Sequence, residues 1–534
     1  PGYFALVMAT GIIAVGASQQ KIVWLAEALY AIAAAAYATL MILTVIRVVA
    51  QNRSFTNDLT SHAKGFAFLT TVAATNVLGS ASAVVHGWRD LAWVLWWVSL
   101  AFWAVLLYST LIAVVLRGDK PGLGAGINGS WFLLTVSTES VAVFGALLLG
   151  HHPNDFLAFT CLAAFSLGLV LYLIVMTMVF LRWTFAELEP TEADPPAWIA
   201  AGAVAITVLA GSNLLATRKV SPRVDRLAPL IEGLVTLAWA TATFWFPVMV
   251  AIGIWRHILN HIPLRYHPSY WALVFPLGMY GAATFRMRAA IGLEALEWLP
   301  KVTLAVALAA LLFLIGAATQ RGIIQPLLKS PASMQIFATV GLSITLQNVA
   351  LFLWKADYRT IQTAYQASKI TIGELAIGYP RLVAFGGATA MTIIIFWFLK
   401  NTFTGRAIRA IAQDRMAAML MGINQKRMYM LAFGLGSACV GVAGGLLMPI
   451  YYVFPTVGTY FSLTAFVVVV LGGMGDIRGA WIGGIIIGLV EAISGFYVPA
   501  LKEAVYFAIF ILILLFRPSG ILGLGRGFEE VAQE

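Results

Sequence analysis

Long apolar runs follow one another along almost the whole chain, and no polar stretch between them is long enough to build a water-soluble domain. A membrane-spanning helix takes about 20 mostly apolar residues, and in lipid only helices and closed barrels satisfy their backbone hydrogen bonds. The chain must therefore cross a bilayer many times, with lipid as its first partner. Its residues are 61% apolar and 10% charged, against roughly 45–50% and 25% in a soluble domain. That excludes a soluble enzyme, a nucleic-acid binder and a secreted disulfide scaffold. Lys+Arg 33 against Asp+Glu 23 leaves a net charge of +10. Spread among connections, such an excess is the bias of cytoplasmic loops, so no nucleic-acid partner is expected. Cys161 in FLAFTCLAAF and Cys439 in FGLGSACVGV read as small hydrophobes inside helices, without a redox or metal role. The start at Pro1-Gly2-Tyr3, with no Met or basic segment ahead of the first apolar run, reads as clipped, so no cleavable signal peptide can be read from it.

Apolar runs predict spans near 3–18, 22–49, 65–86, 91–116, 130–149, 157–183, 197–215, 229–255, 270–285 and 303–319. Odd and even members differ. Odd spans such as TTVAATNVLGSA, LLTVSTESVAVFG and AVAITVLAGSN are rich in Gly, Ser, Thr and Asn, whereas even ones such as LAWVLWWVSLAFWAVLLY are bulky and aromatic. Small polar residues allow close helix packing or line a watery path, and bulky apolar ones match lipid. Recurring five times in phase, the alternation predicts five hairpins with an inner ring of odd helices around a pore. Such a pore, lined by hydroxyls, amides and apolar surface without rings of Lys or Arg, would bind anions weakly and pass them quickly.

Glu139, in VSTESVAVF, is the main fixed charge of the odd spans. A carboxylate there is a functional candidate, and equally a group bonded to backbone or water near a helix end. Asn76 and Asn213 could donate to a passing ion or hold helices together. Pro276, in WALVFPLGMYG, removes a backbone hydrogen bond from the ninth span and is expected to kink it, which would turn Phe275 into a plug for a narrow lumen or simply into core. His151 and His152, beside Pro153, read as polar loop residues.

PGYFALVMATGI, NGSWFLLTVSTESVAV at 128–143 and YWALVFPLGMYGAATF at 270–285 resemble, in order, the tellurite-resistance/C4-dicarboxylate transporter family, also called the voltage-dependent anion channel family. The resemblance covers about 1–320. It implies ten helices as five hairpins, a central anion pore and a homo-oligomer, often a trimer. It also implies an occluding Phe on the ninth helix, matched here by Phe275, with Phe4 and Glu139 in segments that contribute to the pore. The family's cargoes range over malate-like dicarboxylates, chloride or nitrate, tellurite and sulfite.

Six further spans are expected near 334–354, 382–399, 429–450, 461–473, 480–495 and 504–517, giving an all-α polytopic fold throughout. The connection 400–428 concentrates Lys400, Arg406, Arg409, Arg415, Lys426 and Arg427, the mark of a cytoplasmic loop. Within it Ile408, Ile411, Met416, Met419, Leu420 and Ile423 recur at helical spacing, which predicts one short amphipathic helix along the membrane surface. The spans after it are Gly-rich, with Gly472, Gly473 and Gly475 in VVLGGMGDIRG and an intramembrane Glu491 beyond. Such density permits close crossings beside a translocation path. GGMGDIRG is no phosphate loop, since neither a preceding strand nor a following Gly-Lys-Ser/Thr is present, so no nucleotide or other cofactor is expected in this chain.

IFATVGLSITLQNVAL, TGRAIRAIAQDRMAAMLMGIN, FVVVVLGGMGDIRGAWIGGIIIGLVEAI and LLFRPSGILG resemble the branched-chain amino acid ABC transporter permeases of the Leu/Ile/Val type, over about 321–534. The resemblance implies a second permease subunit, separate ATPase subunits and a periplasmic binding protein as partners. Met416-Ala417-Ala418-Met419-Leu420-Met421-Gly422 corresponds to the ATPase-coupling motif Glu-Ala-Ala-xxx-Gly, with Met in the Glu position. The helices with which such permeases open find no counterpart at 285–325, so the permease half is expected to lack its N-terminal part. With residue 1 in the cytoplasm, ten spans return residue 320 there, and two more bring the basic 400–428 loop to the same side. The expectation is a bacterial inner-membrane transporter fusing an anion or dicarboxylate channel to a partial amino acid permease. The alternative is a passive anion channel whose permease appendage is inactive. An enzyme is not expected: Glu139 and Glu491 are isolated, and no catalytic triad or metal spacing is present.

Overall fold

The computed structural model describes residues 2–522 apart from 191–194, 261, 263–267, 329, 359, 361–365, 367, 373–374, 474 and 517–519. The chain divides into two compact units, Pro1–Ile315 and Gly316–Glu534. Among the described residues thirteen helices are long and apolar enough to cross a bilayer.

The first unit contains α1 (Ala5–Gln19), α2 (Val23–Ala50), α3 (Thr70–Ala81), α4 (Arg89–Leu116), α5 (Leu133–Leu149), α6 (Asp155–Phe185), α7 (Ile199–Ala216), α8 (Pro222–Ile254), α9 (Trp271–Ile291) and α10 (Trp298–Thr319), the last running across the boundary. The eighth span begins earlier than expected, because Pro222 suits a first helical turn and carries Arg223 into the helix, where it pairs with Asp155 of α6 at 2.6 Å. The odd helices touch one another in the cycle α1–α3–α5–α7–α9–α1, a closed ring. Outside it α2 rests on α1 and α3, α4 on α3 and α5, α6 on α5 and α7, and α8 on α7 and α9. α10 closes the last seam, with Thr303 against Gly281 of α9 and Leu304 against Gly16 of α1. Burial follows composition: 72–94% of the residues are buried in the first four inner spans, against 17–39% in the outer five. α9 is not among the thirteen, since its Gly, Pro and Thr residues and two arginines lower its hydropathy, yet most of it is buried inside the ring.

The hydroxyls of the inner helices serve packing more than the pore. Tyr30 bonds Ser82 (2.9 Å), Tyr37 bonds Thr75 (2.8 Å), Trp103 donates to Thr138 (2.9 Å), and Trp239 donates to Thr284 (3.1 Å). In these four pairs an aromatic of an outer helix meets a small hydroxyl on the inner side, which links part of the bulky-even and small-odd composition to one cause. Glycine allows the inner helices to approach: a Cβ at Gly202 of α7 would stand 2.8 Å from the Pro276 Cγ of α9. α9 itself passes through Pro276 as one continuous helix. Cys161 lies buried against Gly145 as a small apolar side chain.

The second unit contains α11 (Ala332–Trp354), a hairpin of β1 (Lys369–Ile372) and β2 (Leu375–Gly378), α12 (Tyr379–Asn401), α13 (Phe403–Gln413), α14 (Arg415–Leu420), α15 (Gln425–Leu447), α16 (Val457–Gly472), α17 (Ile477–Tyr497) and α18 (Lys502–Phe516). All six expected rear spans are helices. The hairpin, antiparallel with Lys369 opposite Gly378, is an element that hydropathy does not announce. Val467, Leu471 and Ile487 form a small core of α16 and α17, with Phe507 and Phe510 of α18 packed on it. Gly479 and Gly483 bring α17 against Gly472 of α16 backbone to backbone. α11 and α12, by contrast, bury none of their described residues except Pro380 at the start of α12.

Candidate functional site

Two cavities lie end to end within the ring, and every inner helix lines both. The first is bounded by residues such as Ala5 and Met8, Thr70, Leu133, Ile199, and Ala272 and Phe275. The second is bounded by Ile12 and Gln19, Asn76, Ser140, Asn213, and Met279 and Arg286. The lining positions advance by three, four or seven residues along α1 and α9, the spacing that keeps one helix face toward an axis. On α9 the first cavity ends at Phe275 and the second begins at Met279. Phe275 is 1% exposed and stands at the interruption between them. Pro276, one residue on, faces Gly202 and so packs α9 on α7.

The other front-half candidates divide. Asn76 and Asn213 both line the second cavity, but their amides also hold the ring together. Asn76 donates to the Ser140 hydroxyl (2.8 Å) and accepts from Ser99 of α4, and Asn213 donates to the Val143 carbonyl (3.2 Å). Phe4 is buried against Tyr37, ring to ring at 5.9 Å, and lines neither cavity; its neighbours Gly2 and Ala5 do. Glu139 also lines neither. Its side chain turns outward from α5 to the surface of α6, where Gly168 leaves room for it, and its Oε1 accepts from the Thr207 hydroxyl at 3.0 Å. Helical register places Glu139 away from the cavities, since the lining positions of α5 are Leu133, Ser140, Val143 and Leu147, with Ser130 just before it. Arg286 and Gln19 were missed. Their signal was spacing, since Arg286 stands seven residues beyond Met279 and so returns to the same face, one residue past the expected end of the ninth span.

In the rear unit the basic connection forms two helices instead of one. Asp414 breaks the stripe: it leaves α13 in extended conformation and caps α14, accepting from the Ala417 amide at 2.9 Å. Thr402 caps α13 and Asn424 caps α15 in the same way. The apolar stripe consequently splits, with Ile411 and Ala418 turned inward and Met416, Met419, Leu420 and Met421 exposed, Leu420 at 83%. Ala417 is exposed beside them. Gly422 ends α14 at φ +82°, a left-handed conformation that favours glycine, so the exposed tip stands on a fixed turn. After α16, Gly473 and Gly475 take φ +102° and +94° and turn the chain toward α17, where Asp476 caps the helix. Glu491 accepts from the Tyr460 hydroxyl at 3.1 Å, joining α17 to α16.

Residues 1–319 match the voltage-dependent anion channel family, and residues 272–514 match the branched-chain amino acid transport system / permease component family. The matches overlap in the stretch that holds α9 and α10, and the second reaches back over 285–325, where the motifs alone carry no likeness. The chain is 37% identical over 221 residues to the high-affinity branched-chain amino acid transport system permease protein LivH of Escherichia coli, which covers 39% of this chain and 70% of LivH. To the corresponding BraD of Pseudomonas aeruginosa it is 30% identical over 258 residues, 47% of this chain and 83% of BraD. A further relative, the membrane protein Rv1735c of Mycobacterium tuberculosis, is 38% identical over 127 residues, 24% of this chain and 64% of its own. These are families of multi-pass membrane transport proteins, not of enzymes. The chain therefore belongs through its front part to the voltage-dependent anion channel family and through its rear part to the branched-chain amino acid permease family.

Proposed function

We propose that the protein sits in a bacterial inner membrane, that 1–320 conducts small anions passively through the ring of α1, α3, α5, α7 and α9, and that 321–534 acts as one permease subunit of an ATP-driven branched-chain amino acid importer. The observation that carries the first part is the pair of cavities in line, interrupted at Phe275. A buried aromatic ring between two cavities blocks ions by leaving them no polar contact, and a rotation of the ring would join the cavities. For the second part, the exposed apolar tip of α14, held between a capped start and the Gly422 turn, has the shape of a knob that enters a groove on an ATPase subunit. The bare faces of α11 and α12 suit a second permease subunit or lipid, and a periplasmic binding protein would deliver the amino acid.

Reconstitution into liposomes tests the channel part. Full-length protein should pass anions without ATP, and Phe275→Ala should raise the flux about tenfold or more. No flux from either form, or an unchanged rate in the variant, would remove Phe275 as the gate.

A further inference from the structure

Arg286 is the only charged side chain among the described residues lining either cavity. It is half-buried, and its guanidinium has neither a hydrogen bond nor an ion pair with any described residue. Arg288, two residues on, shows the contrast: it pairs with Glu297 at 3.6 Å and lies over the Phe285 ring. A cation standing without a counter-charge at the rim of an apolar cavity is disfavoured unless an anion visits it. Polar groups lining the same cavity can receive one. Gln19 has a buried amide oxygen without a partner and can present either end of its amide. Asn213 commits one amide hydrogen to Val143 and keeps a second, and Ser80 offers a hydroxyl.

We infer that Arg286 captures the permeating anion at one end of the pore, and that it selects singly charged anions with two coplanar oxygens, such as nitrate or a small monocarboxylate, over dicarboxylate dianions. The inference rests on the pore reading above and narrows its cargo. A guanidinium fork matches two coplanar oxygens with parallel hydrogen bonds, which a spherical halide cannot use fully. A dianion would bring a second carboxylate into a cavity whose remaining walls hold amides, hydroxyls and hydrocarbon but no second cation, and its desolvation would go uncompensated.

Two measurements on the full-length protein test this: flux of nitrate, acetate, chloride and malate into liposomes, and the melting temperature in detergent with and without nitrate. Wild type should pass nitrate and acetate at least about tenfold faster than malate, and nitrate should raise its melting temperature. Arg286→Gln should lower nitrate flux about tenfold and abolish the nitrate effect on melting. Arg286→Lys keeps the charge and loses the fork. It should still exclude cations but no longer prefer nitrate to chloride, and it covers the case in which the Gln variant fails to fold. Malate moving as fast as nitrate, or unchanged preferences in both variants, would overturn the inference. If wild type passes no anion but nitrate stabilises it through Arg286, the capture site stands and the pore reading falls. If nitrate leaves the wild-type melting temperature unmoved, the site itself is refuted.

Discussion

Glu139 is completely buried, its Oε1 bonded to Thr207 and its Oε2 without a partner. No described basic residue pairs with it. A buried carboxyl that is half satisfied contributes little through charge, but its atoms fill the space that Gly168 leaves between α5, α6 and α7. Glu139→Gln keeps that volume and the bond to Thr207, so it should melt within a few degrees of wild type. Glu139→Ala should cost about 2–4 kcal/mol through the cavity it leaves, while the Thr207 hydroxyl can still donate to the Ala203 carbonyl at 3.3 Å. Thermal unfolding in detergent separates the two, and equal melting for both variants would show that packing is not its role. As a buried ionisable residue Glu139 was conspicuous in the sequence, but the face of α5 that carries it was not. A side chain two positions along an inner helix changes from lumen to seam, and only the packed ring shows which is which.

At the scale of elements, the caps decide where the coupling segment bends. Asp414→Ala should release the start of α14 at a cost of about 1 kcal/mol and raise amide exchange across 415–420, while α13 and α15, with their own caps, stay protected. Asp476 caps α17 and also bonds Arg478, which holds its carboxyl below the ordinary value of 3.8. Its contribution is therefore complete at neutral pH and is lost only as the pH falls below that value and through the lowered one. Amide exchange at the start of α17 should rise in that acid range and not between pH 5 and 8. The helical spacing of Ile408, Ile411, Met416, Met419, Leu420 and Ile423 was legible, and so was the basic loop that carries them. Its division was not, because an Asp inside a polar segment signals a cap only once the chain on either side is known to turn. The odd-even alternation was legible for the opposite reason: lipid and close helix packing each select composition over a whole helix, so the signal accumulates.

At the scale of the molecule, the first unit buries its core within its own closed ring, whereas α11 and α12 of the second leave their span residues uncovered. A fragment of residues 1–320 should therefore stay monodisperse in detergent and conduct anions alone, while the rear residues expressed by themselves should aggregate unless a permease partner or ATPase subunits are supplied. Size-exclusion chromatography of the two fragments checks this, and a rear fragment that is monodisperse by itself would show that its faces need no protein cover. Sequence alone carries the class of the protein, the order of its helices, the inner and outer rings, and both family memberships. These depend on composition and motifs, which sum over many residues and tolerate errors of register. The packing of the helices settles that the ring closes α9 on α1, that four small hydroxyls on the inner side bond outer aromatics, that Glu139 turns into a seam and that Arg286 faces the second cavity. Those outcomes turn on which side of a helix a single residue occupies, and one residue of rotation, about 100°, is settled by the neighbours that pack around it.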